Sequence, residues 1–250
     1  MAKKKVFLDP GHGGSDPGAV ANGLQEKNLT LAIAKECEKV LKSEYDDVDV
    51  KLSRTGDTYP SLSARAKMAN DWGANLFISI HVNAGGGTGF ESFVYNGGVA
   101  AATNTYQNAI HATIVSGSGF KDRGKKRANF QVLRDTKMPA VLTENGFIDR
   151  REDAEKLKDP AFIKKLGRLH AEGIAKALGL KKKETKQPEP PKQPEPPKQP
   201  EEFHRVFVNG VQVASFKNEE NVIGKVKAEV ENALKSSAKK LEIRIERVLL

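Results

Sequence analysis

One tract decides how this chain can be organised. Residues 181–202 read KKKETKQPEPPKQPEPPKQPEE, with KQPEPP starting at Lys186 and again at Lys192, and a third copy beginning at Lys198. Seven of the chain's 12 prolines lie there. Proline fixes φ and has no amide proton to donate, so neither a helix nor a sheet can run through the tract. A polyproline II spacer is expected, reaching roughly 70 Å if fully extended at ~3.1 Å per residue. The 250-residue chain is therefore read as a large unit (1–180), a linker (181–202) and a small unit (203–250).

The large unit alternates strand and helix signals. Val6-Phe7-Leu8 is a short apolar strand ending in a glycine-rich loop. Leu24 to Lys42 has helical spacing, with Leu24, Leu31, Ala34, Cys37 and Leu41 near one face. Val48, Val50 and Leu52 alternate with charged residues, as a strand requires. Ser61 to Trp72 reads as a helix capped by Ser61, with Leu62, Ala66 and Ala69 inward. Leu76 to Ile80 and Phe90 to Tyr95 are strands, and Thr103 to Ser116 is a helix. Val132-Leu133 and Ala140 to Thr143 are short strand candidates. Asp159-Pro160 opens a helix that runs to Leu178 and stops at Gly179. This order predicts an α/β fold: a twisted, mostly parallel or mixed sheet flanked by helices. Ligands of such sheets sit at the carboxyl ends of strands.

Beyond the tract, Arg205 to Val208 and Val211 to Phe216 form a hairpin about Asn209-Gly210. Glu219 to Lys235 is helical, with Val222, Val226, Val230 and Leu234 on one stripe, and Leu241 to Val248 alternates as a strand. The small unit is thus α+β, in the order ββαβ. A core of that size is marginal alone, so self-association is an open option.

Composition narrows the function. No run approaches 18 apolar residues, so no membrane-spanning helix is expected. The single Cys37 excludes a disulfide framework and any zinc site built on several thiolates, and it reads as core. Val6 to Leu8 is too short for a signal-peptide core, so the chain is expected to be made in the cytoplasm without a signal peptide. The net charge of +9 suggests a polyanionic partner. Without aromatic-interleaved basic stripes, nucleic acid is not favoured over an anionic wall polymer.

The residues that could carry chemistry gather around the strand ends. Gly11-His12-Gly13-Gly14 follows the first strand, His81-Val82-Asn83 follows Ile80, and Glu144 follows Thr143. Glu26 stands ahead of the first long helix. Zinc hydrolysis needs three nitrogen or oxygen ligands, an open position for water and a nearby carboxylate base. Two histidines and two glutamates meet that list, and the glycines around His12 leave room for close approach. Each also has a plainer reading. A histidine at a strand end is often structural, Glu26 could complement a helix dipole, and Glu144 could be an ion-pair partner. Spacing alone does not decide. His111, His170 and His204 read as structural.

Several segments together carry a resemblance: VFLDPGHGGSDPGA, GLQEKNLTL, LSRTGDTYPSLSARAKMAN, NLFISIHVNA and FQVLRDTKMPAVLTENGFID, followed by the closing helix. Over residues 4–180 the chain resembles the zinc-dependent N-acetylmuramoyl-L-alanine amidases of the type 3 family. That resemblance implies one Zn2+ held by His12, Glu26 and His81, with Glu144 as the catalytic carboxylate. The substrate it implies is the amide joining muramic acid to L-alanine in peptidoglycan. Asn83 and Arg65 are candidates for supporting or substrate roles, Arg65 more naturally as a brace of the fold. Asn145 stands where small residues such as threonine are usual.

The large unit looks especially like the compact phage endolysins and sporulation mother-cell amidases, both made without a signal peptide. Residues 203–250 show no internal repeat, which favours an endolysin with a small cell-wall-binding domain acting after release, its expected ligand an anionic wall polymer. The same residues leave two other classes open: a non-catalytic wall-binding protein, and a wall deacetylase or peptidase using the same metal logic.

Overall fold

Val6, Phe7 and Leu8 have no solvent exposure on either face, as in a central strand of a sheet covered by helices on both sides. The computed structural model, which describes residues 3–183, 202–236 and 239–249, places them in β1 (Lys4–Pro10). A six-stranded sheet is built outward from it. β1 pairs in parallel with β4 (Val48–Leu52) on one side and β5 (Leu76–Asn83) on the other. Before β4, the Asn22-Gly23 turn, with both φ values positive, joins β2 (Val20–Ala21) to β3 (Leu24–Gln25). Next to β5 comes β8 (Ala140–Phe147), in parallel. β6 (Phe90–Tyr95) follows antiparallel to β8, and β7 (Asp122–Ala128) closes the edge in parallel with β6. The sheet is mixed, in the order β4-β1-β5-β8-β6-β7.

Successive β1 side chains feed two cores. Val6 and Leu8 join the apolar faces of α1 (Glu26–Glu44), α3 (Ala101–Ser118) and α6 (Pro160–Leu178). Phe7 stacks on Phe77 at 5.8 Å and meets α2 (Leu62–Trp72) and α4 (Gln131–Arg134) on the other face. Cys37 lies in the first core, fully buried. Three helix boundaries follow local chemistry: Ser61 caps α2, Asp159 with Pro160 opens α6, and Gly179 ends it in the left-handed region.

Some elements differ from the sequence reading. Val132-Leu133 is part of helix α4, because two apolar residues show no period that separates a helical turn from a strand. The inward stripe of α1 is Leu29, Ile33, Ala34, Cys37, Val40 and Leu41, while Leu31 is half-exposed. Leu62 is 46% exposed and faces a cleft. β7, with the sequence DRGKKRA, has no apolar alternation to reveal it, and charge is what a solvent-facing edge strand carries. α5 (Arg151–Lys158) is equally polar, with acids in its first turn and lysines in its last. The large unit also reaches past 180. Tyr45 and Lys182 form a β-bridge, and Lys183 donates to the Glu44 carbonyl. Of the polyproline II spacer expected over 181–202, residues 184–201 lie outside the described residues, while Lys182 and Lys183 join the large unit and Glu202 opens a strand of the small one.

The small unit is a separate antiparallel sheet in the order β10-β9-β11. Its strands are β9 (Glu202–Val208), β10 (Val211–Phe216) and β11 (Ile243–Leu249). Asn209 and Gly210, both at positive φ, make the tight turn between β9 and β10. α7 (Glu219–Lys235) starts at Asn218, whose side chain accepts from the Asn221 amide. No described helix is long and apolar enough to cross a membrane.

Candidate metal centre

The large unit's site forms where β1, β5 and β8 end. His12 sits just beyond β1 with φ of 61°, a conformation a non-glycine residue holds only when its surroundings impose it. Two buried arginines impose it here. Arg65, 1% exposed at its side chain, pairs with Asp9 at 2.8 Å and donates to the Pro10 and His12 carbonyls. Arg54 reaches the carbonyls of Pro10, Gly11 and Lys27. Arg65 is therefore a brace beneath the His12 loop and is too buried to touch substrate. Arg54, Asp9 and Asp16 were not singled out from sequence, because nothing local distinguishes a buried arginine from a solvated one.

His81 and Glu144 lie within β5 and β8 rather than after them, since both strands run on past Ile80 and Thr143. Glu26 is the first residue of α1, delivered by the β2–β3 hairpin. Its carboxylate meets both histidines, His12 Nε2 at 3.0 Å on Oε2 and His81 Nδ1 at 3.0 Å on Oε1. The Ala19 and Val82 amides donate to the same two oxygens. One donor atom from each of His12, Glu26 and His81 lies within 4.8 Å of the others. Asp16 Oδ2 stands 2.8 Å from His12 Nδ1, the outer carboxylate that typically orients a ligating histidine. Small residues make the gathering possible. A Cβ on Gly11 would overlap the His81 ring, and one on Gly18, at φ 65°, would lie 2.6 Å from Glu26 Oε2.

The electrostatics follow from this packing. Burial alone would raise the Glu26 carboxyl, but the two imidazoles outweigh it and hold the group far below the usual carboxylate range. Burial alone would lower His12, yet Glu26 and Asp16 keep it above its ordinary value. Glu144 goes the other way. Burial, then the charges of Glu26 and Glu91, push it well above the ordinary range. Its Oε2 has no hydrogen-bond partner among the described residues. It pairs across the ladders with His81 on one side and Glu91 on the other, so the three side chains share a face. All of His12, Glu26, His81 and Glu144 line one cleft of about 350 Å³, with Leu62, Phe130, Val132 and Leu142 as apolar walls.

Asn83 is at the cleft's rim, its amide donating to Glu91 at 2.8 Å. Asn145 is buried and ties β8 to the His81 carbonyl at 2.9 Å. The remaining histidines lie elsewhere. His170 is fully buried between Thr143 and the Leu166 carbonyl. His111 bridges Ser92 and Asp122 at 2.8 and 2.9 Å. That connectivity imitates a nucleophilic triad, but Ser92 has no exposure and substrate cannot reach it. His204 belongs to β9 of the small unit.

A model of the N-acetylmuramoyl-L-alanine amidase family matches residues 6–176, and these include all four cleft residues. The chain belongs to that amidase family. Its reaction is hydrolysis of the N-acetylmuramoyl–L-alanine amide of peptidoglycan. The amidase is 58% identical over 178 residues to the sporulation-specific N-acetylmuramoyl-L-alanine amidase of Bacillus subtilis, covering 71% of this chain and 69% of that one. It is 47% identical to the endolysin of Bacillus phage SPP1, over 72% and 68% of the two chains. Among solved structures, the catalytic domain of CwlV from Bacillus (Paenibacillus) polymyxa var. colistinus superposes with a TM-score of 0.67 at 35% identity. That match covers 71% of this amidase and 99% of that domain. The N-acetylmuramoyl-L-alanine amidase of Clostridium difficile 630 gives 0.68 at 36%, over 72% and 98%.

Proposed function

We propose that this amidase is zinc-dependent, with His12, Glu26 and His81 as the metal ligands and Glu144 as the proton carrier. One observation carries the reading: two imidazoles and a carboxylate converge in one cleft with a second carboxyl group, one oxygen of which has no hydrogen-bond partner among the described residues. Two neutral nitrogen donors and one carboxylate fit zinc, and the outer Asp16 carboxylate fits a ligating histidine. Zinc held there supplies Lewis-acid chemistry, lowering the pKa of water and polarising the amide carbonyl.

The protein's own groups do the rest. Glu144 Oε2 accepts a proton from the attacking water and returns it to the nitrogen of the departing L-alanine. Glu144 stands beside His81 across the β5–β8 ladder and lines the same cleft, which supports that role. Arg65, Arg54 and Asp9 hold the His12 loop, while Asn145 holds the His81 strand.

The test is product analysis on purified Gram-positive walls. Wild type releases new amino-terminal L-alanine. Glu144→Ala lowers the rate by about 10²–10⁴ while still retaining zinc, and chelation abolishes activity that added zinc restores. Released acetate without new amino termini would point to a deacetylase. Full activity after verified metal removal would end the zinc reading.

The small unit is read as a cell-wall-binding domain for a wall polymer, tethered so as to raise the local substrate concentration. Its nine basic and six acidic side chains in residues 203–250 favour an anionic polymer. A chain ending at Lys183 should lose retention on walls. If it instead only changes from dimer to monomer, the unit is a self-association module. The physiological role proposed is that of an endolysin. The catalytic sequence favours a second reading, since its identity to the sporulation enzyme exceeds that to the endolysin. Accumulation on prophage induction supports the first, and accumulation during sporulation the second.

A further inference from the structure

Beyond Glu144, the row of charged side chains continues across β6 to the sheet edge. Glu91 is 5% exposed at its side chain, and one of its oxygens, Oε2, takes both Arg123 Nε at 2.8 Å and Lys126 Nζ at 2.5 Å. Its other oxygen accepts from Asn83 at the cleft rim. Burial alone would raise the Glu91 carboxyl, but the two cations outweigh it, so it stays ionised. Two cations thus surround one carboxylate, leaving an excess positive charge next to the cleft. The two cations are 31% and 39% exposed, so they face solvent as well as Glu91.

Edge protection alone does not explain this arrangement. β7 carries four cations, and they divide by face. Lys125 and Arg127 donate to Asn108 and Asn104 of α3. Arg123 and Lys126 turn to the cleft face instead, brought together by the register irregularity opposite Glu91 and by Gly124 at φ 86°. Both are also fixed by rings. Arg123 lies 4.7 Å over Phe147, and Lys126 lies 5.8 Å over Phe93, which packs on Phe130 of the cleft wall. The Arg123 guanidinium meets Glu91 through Nε, a geometry that leaves its two Nη groups for a second carboxylate.

The chemistry of the substrate says which carboxylate that is. The lactyl carboxyl of N-acetylmuramic acid is consumed in the scissile amide, and N-acetylated sugars are neutral, so the remaining carboxylates belong to the peptide. From Glu144 to the β7 edge is two strand spacings, ~10 Å, and an extended peptide advances ~3.3 Å per residue. A carboxylate on the residue after L-alanine falls within reach of the long arginine and lysine side chains.

We propose that Arg123 and Lys126, positioned by Glu91, form a carboxylate-binding subsite for the peptide portion of the substrate. The proposal rests on the amidase reading and names the part of the substrate that this edge of the cleft selects.

The experiment uses the full-length zinc-loaded chain and two synthetic N-acetylmuramoyl-L-alanyl dipeptides. They differ only in whether the second residue carries a free carboxylate or its carboxamide. Wild type is expected to favour the carboxylate by about tenfold or more in kcat/KM, chiefly through KM, as a charge-assisted hydrogen bond implies. Arg123→Gln and Lys126→Gln each reduce that ratio, the double variant brings it near parity, and Arg123→Lys retains part of it. A wild-type enzyme with no preference, or a double variant that keeps it while losing rate on both substrates, overturns the subsite. Failure of wild type to cut either compound or whole walls would instead overturn the amidase reading itself. Walls cut without any carboxylate preference would remove the subsite alone.

Discussion

The catalytic unit and the small carboxyl-terminal unit differ most in what they keep away from water. The first buries Asp9, Glu26, Arg65, Glu91 and His170 as well as a continuous apolar core. In the second, the buried apolar residues among those described are Val206 and Val222, while Val211, Ile223, Leu234 and Ile245 are exposed. A dry ionic group is tolerated only when partners satisfy it and a large core offsets its desolvation. The large unit has both, so it can hold carboxylates and imidazoles with altered acidities. The small unit has neither in comparable measure, and whatever it binds must be met at its surface.

That contrast can be broken most directly at Arg65. Arg65→Met leaves Asp9 buried without its cation and should destabilise the large unit by ~3–5 kcal/mol, with loss of wall hydrolysis as the His12 loop relaxes. An unchanged melting temperature would mean that the Asp9–Arg65 pair does not hold the loop.

A buried histidine sharpens the comparison with pH. Burial lowers His170 from 6.5 to about 4, against a small opposing effect of the Leu166 carbonyl. The unfolded chain takes up this proton below 6.5 and the folded chain only below about 4. Stability fully present above 6.5 is therefore lost as pH falls through that window, by ~3 kcal/mol. His170→Gln should flatten the difference between stabilities measured at pH 7 and 4.5. Equal slopes for the two proteins would refute the assignment.

In the small unit the expected effects are smaller and local. Val206→Ala should cost about 2 kcal/mol, seen as earlier melting of that unit while the amidase transition and hydrolysis of a soluble muramoyl peptide stay put. A simultaneous shift of both transitions would show that the units fold as one. At the bottom of the scale, Lys225→Met removes the surface pair with Glu229 and should change stability by ~0.5 kcal/mol or less.

How much of this was legible beforehand depended on the kind of signal. Phe90 to Tyr95, Pro160 to Leu178 and the Val211 to Phe216 hairpin strand were readable because periodicity, capping and turn chemistry are local. β7 and α5 were not, because an edge strand and a surface helix need no apolar pattern. The site residues His12, Glu26, His81 and Glu144 became candidates through their positions near strand ends and through the resemblance. Spacing could not join them, since they are separated by up to 132 residues in the sequence.

By itself the sequence determined the α/β class of the large unit, the ββαβ order of the small one, and the donor types available for metal chemistry. Those properties depend on residues close together in the chain. Only the tertiary structure decided that Arg65 and Arg54 are buried beneath the His12 loop. It alone set Glu26 between two imidazoles and pushed the Glu144 pKa upward, and it alone turned two of the four β7 cations toward the cleft. Each of these depends on burial and on partners distant in sequence, and desolvation has no value until the fold has excluded the water.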